Sequence, residues 1–309
     1  MPGVTIHQIP YRGWENCLEI TNGIVDLVIT LDVGPRIIRY GLKGKENEMC
    51  ENESELGLTG GNEWRMYGGH RLWHSPESRP RTYEPDNFPV SWEKIPDGIK
   101  TIQDIEPLTG IKKEMEISLS PDTGRVHILH RLTNKGPWSI TLSVWSITAL
   151  APGGKEVIPQ TQKDTGLLPN RCLSLWPYTR MNDHRIQWGE KYFLLKQDPT
   201  VKAALKFGIP NEEGWAAYFN HSHLFVKYYR HNSTAEYPDF GSSYETYTNN
   251  FMLEMETLSP LTLLEPDARV EHRETWELFD NVPEPPDDEH AIELTLAKWI
   301  ERGDATKIF

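Results

Sequence analysis

The stretch Ile111-Lys112-Lys113-Glu114-Met115-Glu116-Ile117-Ser118-Leu119 alternates polar and apolar residues over its second half. A period of two is typical of a β-strand with one face in a core and the other in water. Pro121-Asp122-Thr123-Gly124 follows, a turn sequence whose glycine accepts a positive φ, and residues 125–133 then resume strand character. Together these pieces predict an antiparallel hairpin.

Short apolar runs of the same kind recur on both sides of this hairpin. Residues 24–32 are rich in β-branched side chains, Gly34-Pro35 ends the run, and strand character resumes at residues 36–40. Further runs cover residues 139–150, 191–196, 215–220, 224–229, 251–257 and 271–279. Strands separated by turn residues at this spacing predict a mostly β sandwich or barrel. We expect residues 1–309 to form a single domain, since all-β domains of more than about 200 residues are common.

One stretch, residues 288–302, has the period of an α-helix. Its apolar side is formed by Ala291, Ile292, Leu294, Leu296, Trp299 and Ile300. Acidic residues precede it, Gly303 follows it, and the proline-rich segment 283–286 connects it to the last strand. We expect this helix to pack on the outside of the β-sandwich.

The charge of the chain bears on its binding partners, and its cysteine content bears on the compartment in which it works. The chain carries 45 acidic and 32 basic residues, a formal net charge of −13, which argues against nucleic-acid binding. No apolar run approaches transmembrane length, and the N-terminus lacks the basic and apolar regions of a signal peptide. Cys17, Cys50 and Cys172 are odd in number and widely spaced, which suits a reducing compartment. We expect a cytoplasmic protein with no membrane partner.

The densest group of chemically versatile residues is Gly68-Gly69-His70-Arg71-Leu72-Trp73-His74-Ser75-Pro76-Glu77. The arginine fork binds vicinal hydroxyls or a carboxylate, and the histidines donate to or accept from hydroxyls near neutral pH. Glycine and proline at its ends predict a loop, and such a loop favours a ligand site over a structural role. The His-x-x-x-His spacing resembles a zinc helix, but these ends and the cationic Arg71 disfavour a metal.

Two further clusters carry polar groups late in the chain. His221 and His223 share one face if residues 219–225 are a strand and fan out if they are a turn, so their role stays open between binding and solvation. Glu254 and Glu256 lie on one face of a strand, about 6.5–7 Å apart. Pointing inward, they would raise at least one carboxyl pKa by repulsion and desolvation. The alternative is a solvated polar face.

The order of these pieces resembles the aldose-1-epimerase (galactose-mutarotase-like) superfamily. The resemblance rests on residues 28–38, on the Gly-Gly-His stretch at 68–74, and on Arg131-Leu132-Thr133-Asn134-Lys135-Gly136. It continues at residues 253–260, where Glu256-Thr257 matches the strand that carries the family's catalytic glutamate, and ends near residue 280. The motifs are similar to a poorly characterised branch. The implied fold is an antiparallel β-supersandwich.

The resemblance implies that a monosaccharide or sugar derivative is the partner and that its anomers are interconverted by acid–base catalysis. Glu256 would be the base, and His74 or His70 the acid. Sugar contacts would come from Arg71, Trp73, Glu77, Glu254, His221 and His223. This chemistry requires no metal, nucleotide or redox cofactor.

The sequence departs from the family at one position that matters for the chemistry. Trp145 stands where the family carries its catalytic-acid histidine. Two alternatives to an epimerase therefore stay open, a non-catalytic sugar-binding or sensing domain and a glycan lyase or hydrolase that uses the same cleft.

Overall fold

The computed structural model describes residues 3–300. In chain order the strands are β1 Thr5–Tyr11, β2 Trp14–Thr21, β3 Val25–Thr30, β4 Arg36–Leu42, β5 His70–Ser75, β6 Ser91–Ile95, β7 Gly98–Ile102, β8 Ile111–Leu119, β9 Val126–Asn134, β10 Ile140–Leu150, β11 Lys155–Pro159, β12 Ser174–Leu175, β13 Ile186–Trp188, β14 Tyr192–Lys196, β15 Leu205–Ile209, β16 Trp215–Asn220, β17 His223–Tyr229, β18 Tyr244–Thr248, β19 Leu253–Leu258, β20 Thr262–Leu264 and β21 Arg269–Phe279. The helical pieces are a 3₁₀ turn Arg81–Tyr83, a single turn α1 Pro238–Gly241 and the helix α2 Glu289–Leu296.

The strands form two large antiparallel sheets. The first has the order β1-β2-β3-β4-β5-β10-β19-β18-β15-β12, with β20 paired to β10. The second has the order β13-β14-β11-β16-β17-β21-β9-β8-β7-β6. This architecture confirms the predicted mostly β sandwich.

The main core lies between the two sheets. Leu27 and Met255 of the first sheet belong to the same buried cluster as Met115, Phe225 and Trp276 of the second. Full burial of each such side chain contributes about 1.5–3 kcal/mol to the stability of the fold. Because these side chains of the first sheet point into the core, one face of that sheet is covered by the second sheet, and the candidate site lies on the other face.

The predicted hairpin is confirmed. Strands β8 and β9 pair antiparallel from Ile111 opposite Asn134 to Leu119 opposite Val126. Odd-numbered residues of β8 face the core, and Lys113 among them is buried with its ammonium 2.5 Å from the Glu106 carboxylate. The alternation thus fixes which face is buried even where a lysine occupies a core position.

The C-terminal helix is shorter than expected. It begins after Asp288, whose side chain accepts a hydrogen bond from the Ala291 N–H, and ends at Leu296 rather than at residue 302. The backbone then tightens into turns, which bring Trp299 against Phe279 at 5.0 Å between ring centroids. Residues 301 and 302 lie outside the described part of the chain.

The helix covers part of the outer face of the second sheet. Its buried side chains Ile292 and Leu296 pack with Val157, Phe219 and Val226, which point away from the inter-sheet core. Between residues 3 and 300, no helix is long and apolar enough to cross a membrane.

Candidate functional site: a charged, aromatic pocket on the first sheet

A cavity of about 290 Å³ opens on the outer face of the first sheet. Its floor comes from alternate residues of adjacent strands, since successive side chains of a strand point to opposite faces. In register, Arg71 of β5, Ile147 of β10 and Glu256 of β19 form one row across the sheet. The cavity is lined by Trp64, Met66, Arg71, Trp73, Glu77, Arg79, Tyr83, Trp145, Ile147, Tyr178, Lys206, Tyr247, Met252, Glu254 and Glu256.

Glu256 is held by two donors at one carboxylate oxygen. The Trp145 indole N–H and the Lys206 ammonium each lie 2.7 Å from Oε2. The residue is only 1% exposed. Within residues 3–300 no hydrogen bond reaches Oε1, so this oxygen is the one available to a bound molecule.

Glu254 lies two residues away on the same face of β19 and is paired with Arg71. The Arg71 Nη1 atom is 2.7 Å from Glu254 Oε1. Burial raises the pKa of the Glu254 carboxyl, Arg71 offsets part of this rise, and the neighbouring Glu256 raises the pKa further. A carboxyl of this kind keeps its proton to higher pH than an exposed glutamate does.

Lys206 of β15 connects two carboxylates and two rings. Its ammonium lies 2.8 Å from Glu245 and 2.7 Å from Glu256, and 4.6 Å and 4.7 Å from the ring centroids of Trp145 and Trp176. Burial opposes the charged form, but the two carboxylates outweigh it and raise the Lys206 pKa. The lysine therefore stays cationic at neutral pH.

An aromatic wall closes one side of the cavity. Trp64, Trp73, Trp145 and Tyr83 make edge-to-face contacts with ring centroids 5.0–5.7 Å apart. The Arg71 guanidinium lies over the Trp73 ring at 4.7 Å. Arg71 Nε and the indole nitrogens of Trp64 and Trp73 are buried and have no hydrogen-bond partner within residues 3–300. Unpaired buried donors of this kind are rare in native proteins.

The predicted Gly68–Glu77 loop is wrong in its central part. Residues 70–75 form β5, because they pair with both β4 and β10. Strand alternation then sends Arg71 and Trp73 into the pocket and His70 and His74 to the opposite face. The two histidines therefore do not line the pocket with Glu256, and the expected constellation of His70, Arg71, His74 and Glu256 is wrong in this respect.

His70 instead belongs to a polar network between the sheets. His130 Nδ1 must donate to the backbone carbonyl of His272, so its Nε2 accepts from His70 Nε2 at 2.7 Å. His70 Nδ1 accepts in turn from the Thr148 hydroxyl at 2.8 Å. Burial lowers the His70 pKa, which agrees with this neutral arrangement.

The same network includes a carboxylate and an ammonium. Glu274 lies close enough to His70 and His130 for all three to hold a metal ion, with ligand atoms within 4.8 Å of one another. The Glu274 carboxylate is already paired with the Lys227 ammonium at 3.0 Å, and hydrogen bonds satisfy both histidine rings.

The other three histidines predicted for the site, His74, His221 and His223, also lie away from the pocket. His74 is buried beside a different cavity with Arg81 and Leu108, and burial lowers its pKa to about 3. His221 lies in the turn between β16 and β17 with a φ of 53° and lines another separate cavity. His223 starts β17, where its Nδ1 lies 2.6 Å from Glu48. Neither His221 nor His223 faces Glu256.

Five of the residues expected at the site do meet in one cavity, namely Arg71, Trp73, Glu77, Glu254 and Glu256. Lys206 was not expected there. Its signal in the sequence is a single charge inside the apolar run Ala203-Ala204-Leu205-Lys206-Phe207. Trp145, noted as the departure from the family, contacts the Glu256 carboxylate directly.

Comparison with known proteins identifies relatives by fold but none by sequence. No protein-family model matches the sequence, and no curated protein matches it. A galactose mutarotase-like protein from Lactobacillus casei ATCC 334 is 12% identical with a TM-score of 0.56, over 85% of this chain and 100% of that one. One from Clostridium acetobutylicum is 10% identical with a TM-score of 0.53, over 90% and 99%.

A third solved structure, a TPR-domain containing protein from Parabacteroides distasonis ATCC 8503, is 13% identical with a TM-score of 0.59. The match covers 95% of this chain and 51% of that one. At such identities the likeness concerns the fold alone. These likenesses show that the chain has the galactose-mutarotase-like fold.

Proposed function

We propose that the pocket binds a monosaccharide or sugar derivative and that Glu256 and Glu254 interconvert its anomers as general base and general acid. The observation that carries the proposal is the pair of buried carboxyls on one face of β19, each held by its own cation, beside tryptophan rings. Two groups of this type are the minimum that anomer interconversion requires.

The geometry of the pair suits the reaction. Residues two apart on a strand are about 6.5–7 Å apart along the chain. The anomeric hydroxyl and the ring oxygen are bonded to the same carbon, so hydrogen bonds of about 2.7 Å can join each of them to one carboxyl. The Glu256 Oε1 atom is free for the hydroxyl, and the raised pKa of Glu254 suits a proton donor.

The reaction then runs as a proton exchange across the sugar. Glu256 takes the proton of the anomeric hydroxyl as the bond between the anomeric carbon and the ring oxygen breaks, and Glu254 gives its proton to that oxygen. The open-chain carbonyl rotates to present its other face. The ring closes when Glu254 regains the proton and Glu256 returns its own to the carbonyl oxygen.

The remaining pocket residues have binding roles in this proposal. Sugar C–H faces stack on aromatic planes, and Trp73 with Trp64 supplies such a surface. Arg71 keeps Glu254 in place through its Nη1 atom. Glu77 stands at the rim, bonded to the Tyr83 hydroxyl.

The test is anomer exchange measured by NMR magnetisation transfer on a panel of aldoses and uronic acids. The wild-type chain should accelerate exchange for at least one sugar. Glu256→Gln should lower turnover roughly 100- to 10,000-fold, the range typical of a lost general base, while binding survives. Glu93→Gln, which alters an exposed carboxylate on β6, is the matched control and should change neither.

A second candidate, sugar binding without turnover, is favoured by one specific observation. The pocket residues within 3–300 include no histidine, and Trp145 donates to Glu256 where the family carries its acid. In this case a sugar would bind by calorimetry while its anomers exchange at the buffer rate.

We also propose that the protein works in a reducing compartment such as the cytoplasm. Cys17, Cys50 and Cys172 are free thiols, and the first two are buried. Thiol titration of the denatured protein, isolated without reductant, should find all three reduced. Imaging of a tagged chain in its source cells should place it in the cytoplasm, and an extracellular location would overturn the proposal.

A further inference from the structure

The loop after β5 carries Arg79, an arginine with no carboxylate partner in the pocket. The Arg79 guanidinium lies over the Tyr83 ring at 4.0 Å, and both residues line the cavity. Glu77, the nearest acid in sequence, is bonded to the Tyr83 hydroxyl instead. Among residues 3–300, no carboxylate lies within salt-bridge distance of Arg79.

The other two cations of the cavity differ from Arg79 in this respect. Arg71 is paired with Glu254 at 2.7 Å, and Lys206 with Glu245 and Glu256 at 2.8 and 2.7 Å. These ion pairs keep them occupied within the protein. Arg79 is exposed at the rim, and its stacking on Tyr83 leaves the N–H edge of the guanidinium free for a bidentate acceptor.

The pocket wall contains further hydrogen-bond donors besides Arg79. Arg71 Nε and the indole nitrogens of Trp64 and Trp73 also have no acceptor within the described residues. The chain as a whole carries a net charge of −13, so an anionic ligand needs a local cation of this kind to approach it.

We propose that the natural ligand is a saccharide bearing an anionic group, a carboxylate or a phosphate, that Arg79 binds at the pocket rim. The inference rests on the proposed sugar site and names the class of sugar it takes. With the anomeric carbon at the Glu254–Glu256 pair, the anionic group lies at the opposite end of the sugar. Arg79 then selects the ligand without taking part in proton transfer.

Isothermal titration calorimetry on matched sugars tests this inference. The panel consists of glucose, galactose and mannose, their uronic acids and their 6-phosphates. For at least one configuration the anionic sugar should bind at least tenfold more tightly than its neutral parent, and the uronate and phosphate arms identify which group is preferred. Arg79→Gln should remove most of that difference.

Arg273→Gln is the control, because Arg273 is an exposed arginine of β21 outside the pocket. It should leave all affinities as in the wild type. If neutral sugars bind and the anionic forms bind no better, or if Arg79→Gln keeps the preference, the inference is wrong and the sugar site stands. If no sugar binds at all, the proposed function fails first and this inference with it.

Discussion

The Lys227 ammonium donates a hydrogen bond of 3.1 Å to the backbone oxygen of Met255, the residue between Glu254 and Glu256. Lys227 lies on β17 in the second sheet and is fully buried. Its partner Glu274 accepts a hydrogen bond of 2.6 Å from Thr257, the residue that follows Glu256 on the same strand β19. A buried ion pair of one sheet therefore holds the strand that carries both pocket glutamates in the other.

The first prediction concerns this pair. Lys227→Met leaves the Glu274 carboxylate buried without its cation, and loss of one member of a buried pair costs about 3–5 kcal/mol. Urea denaturation should show that loss in the free energy of unfolding. Lys45→Met is the comparison, because it breaks an exposed pair with Asp280 and should cost far less stability than Lys227→Met. Equal losses in the two variants would contradict the stabilising role of the buried Lys227–Glu274 pair.

The second prediction concerns Lys206. Its raised pKa means that its stabilising effect is present below the unfolded-state lysine pKa and is lost only as pH rises through the higher folded value. Lys206→Met leaves Glu245 and Glu256 to ionise in the core without a cation. The variant should be less stable than the wild type at neutral pH, and the gap should narrow as acid protonates Glu245, whose pKa is raised by burial. A gap that widens on acidification would be inconsistent with this pairing.

The third prediction concerns His74. Its pKa is lowered to about 3 by burial, whereas the unfolded side chain titrates near its ordinary value of 6.5. Between these values the unfolded state binds more protons, so stability falls as pH falls, by up to about 1.4 kcal/mol per pH unit. His74→Leu should reduce this slope in denaturation curves measured from pH 7 to 4. His7→Gln, at an exposed histidine of β1, is the comparison variant.

The fourth prediction follows from the acid role proposed for Glu254. A general acid must be protonated, so turnover should fall as pH rises through the raised pKa of Glu254. Glu254→Gln should lower turnover and remove this alkaline decline. The pH profile of anomer exchange measures both effects. An unchanged alkaline limb in the variant would assign the acid to another group.

Local patterns in the sequence were sufficient for much of the fold. Alternation in residues 111–119 gave the β8–β9 hairpin, and the same rule put Glu254 and Glu256 on one face. Apolar periodicity gave the position of the last helix but not its end, because the final turns are set by the contact of Trp299 with Phe279.

The site was harder to predict because it depends on long-range pairing. Gly68-Gly69 suggested a loop, and only the pairing of β5 with β4 and β10 makes residues 70–75 a strand and turns both histidines inward. Arg71 and Glu254 are 183 residues apart in sequence, and their contact depends on the strand order of the sheet. Lys206 offered only an isolated charge in an apolar run, which does not specify a partner.

The most direct test of the acid–base pair is a double-mutant comparison of anomer-exchange rates by NMR magnetisation transfer. Groups that act as a unit have strongly non-additive effects, since removal of either one disables the other. We predict that Glu256→Gln and Glu254→Gln each lower turnover at least about 100-fold and that the double variant is hardly slower than Glu256→Gln alone. Anomers that exchange at the buffer rate with wild-type protein, or full turnover in either single variant, would contradict the account.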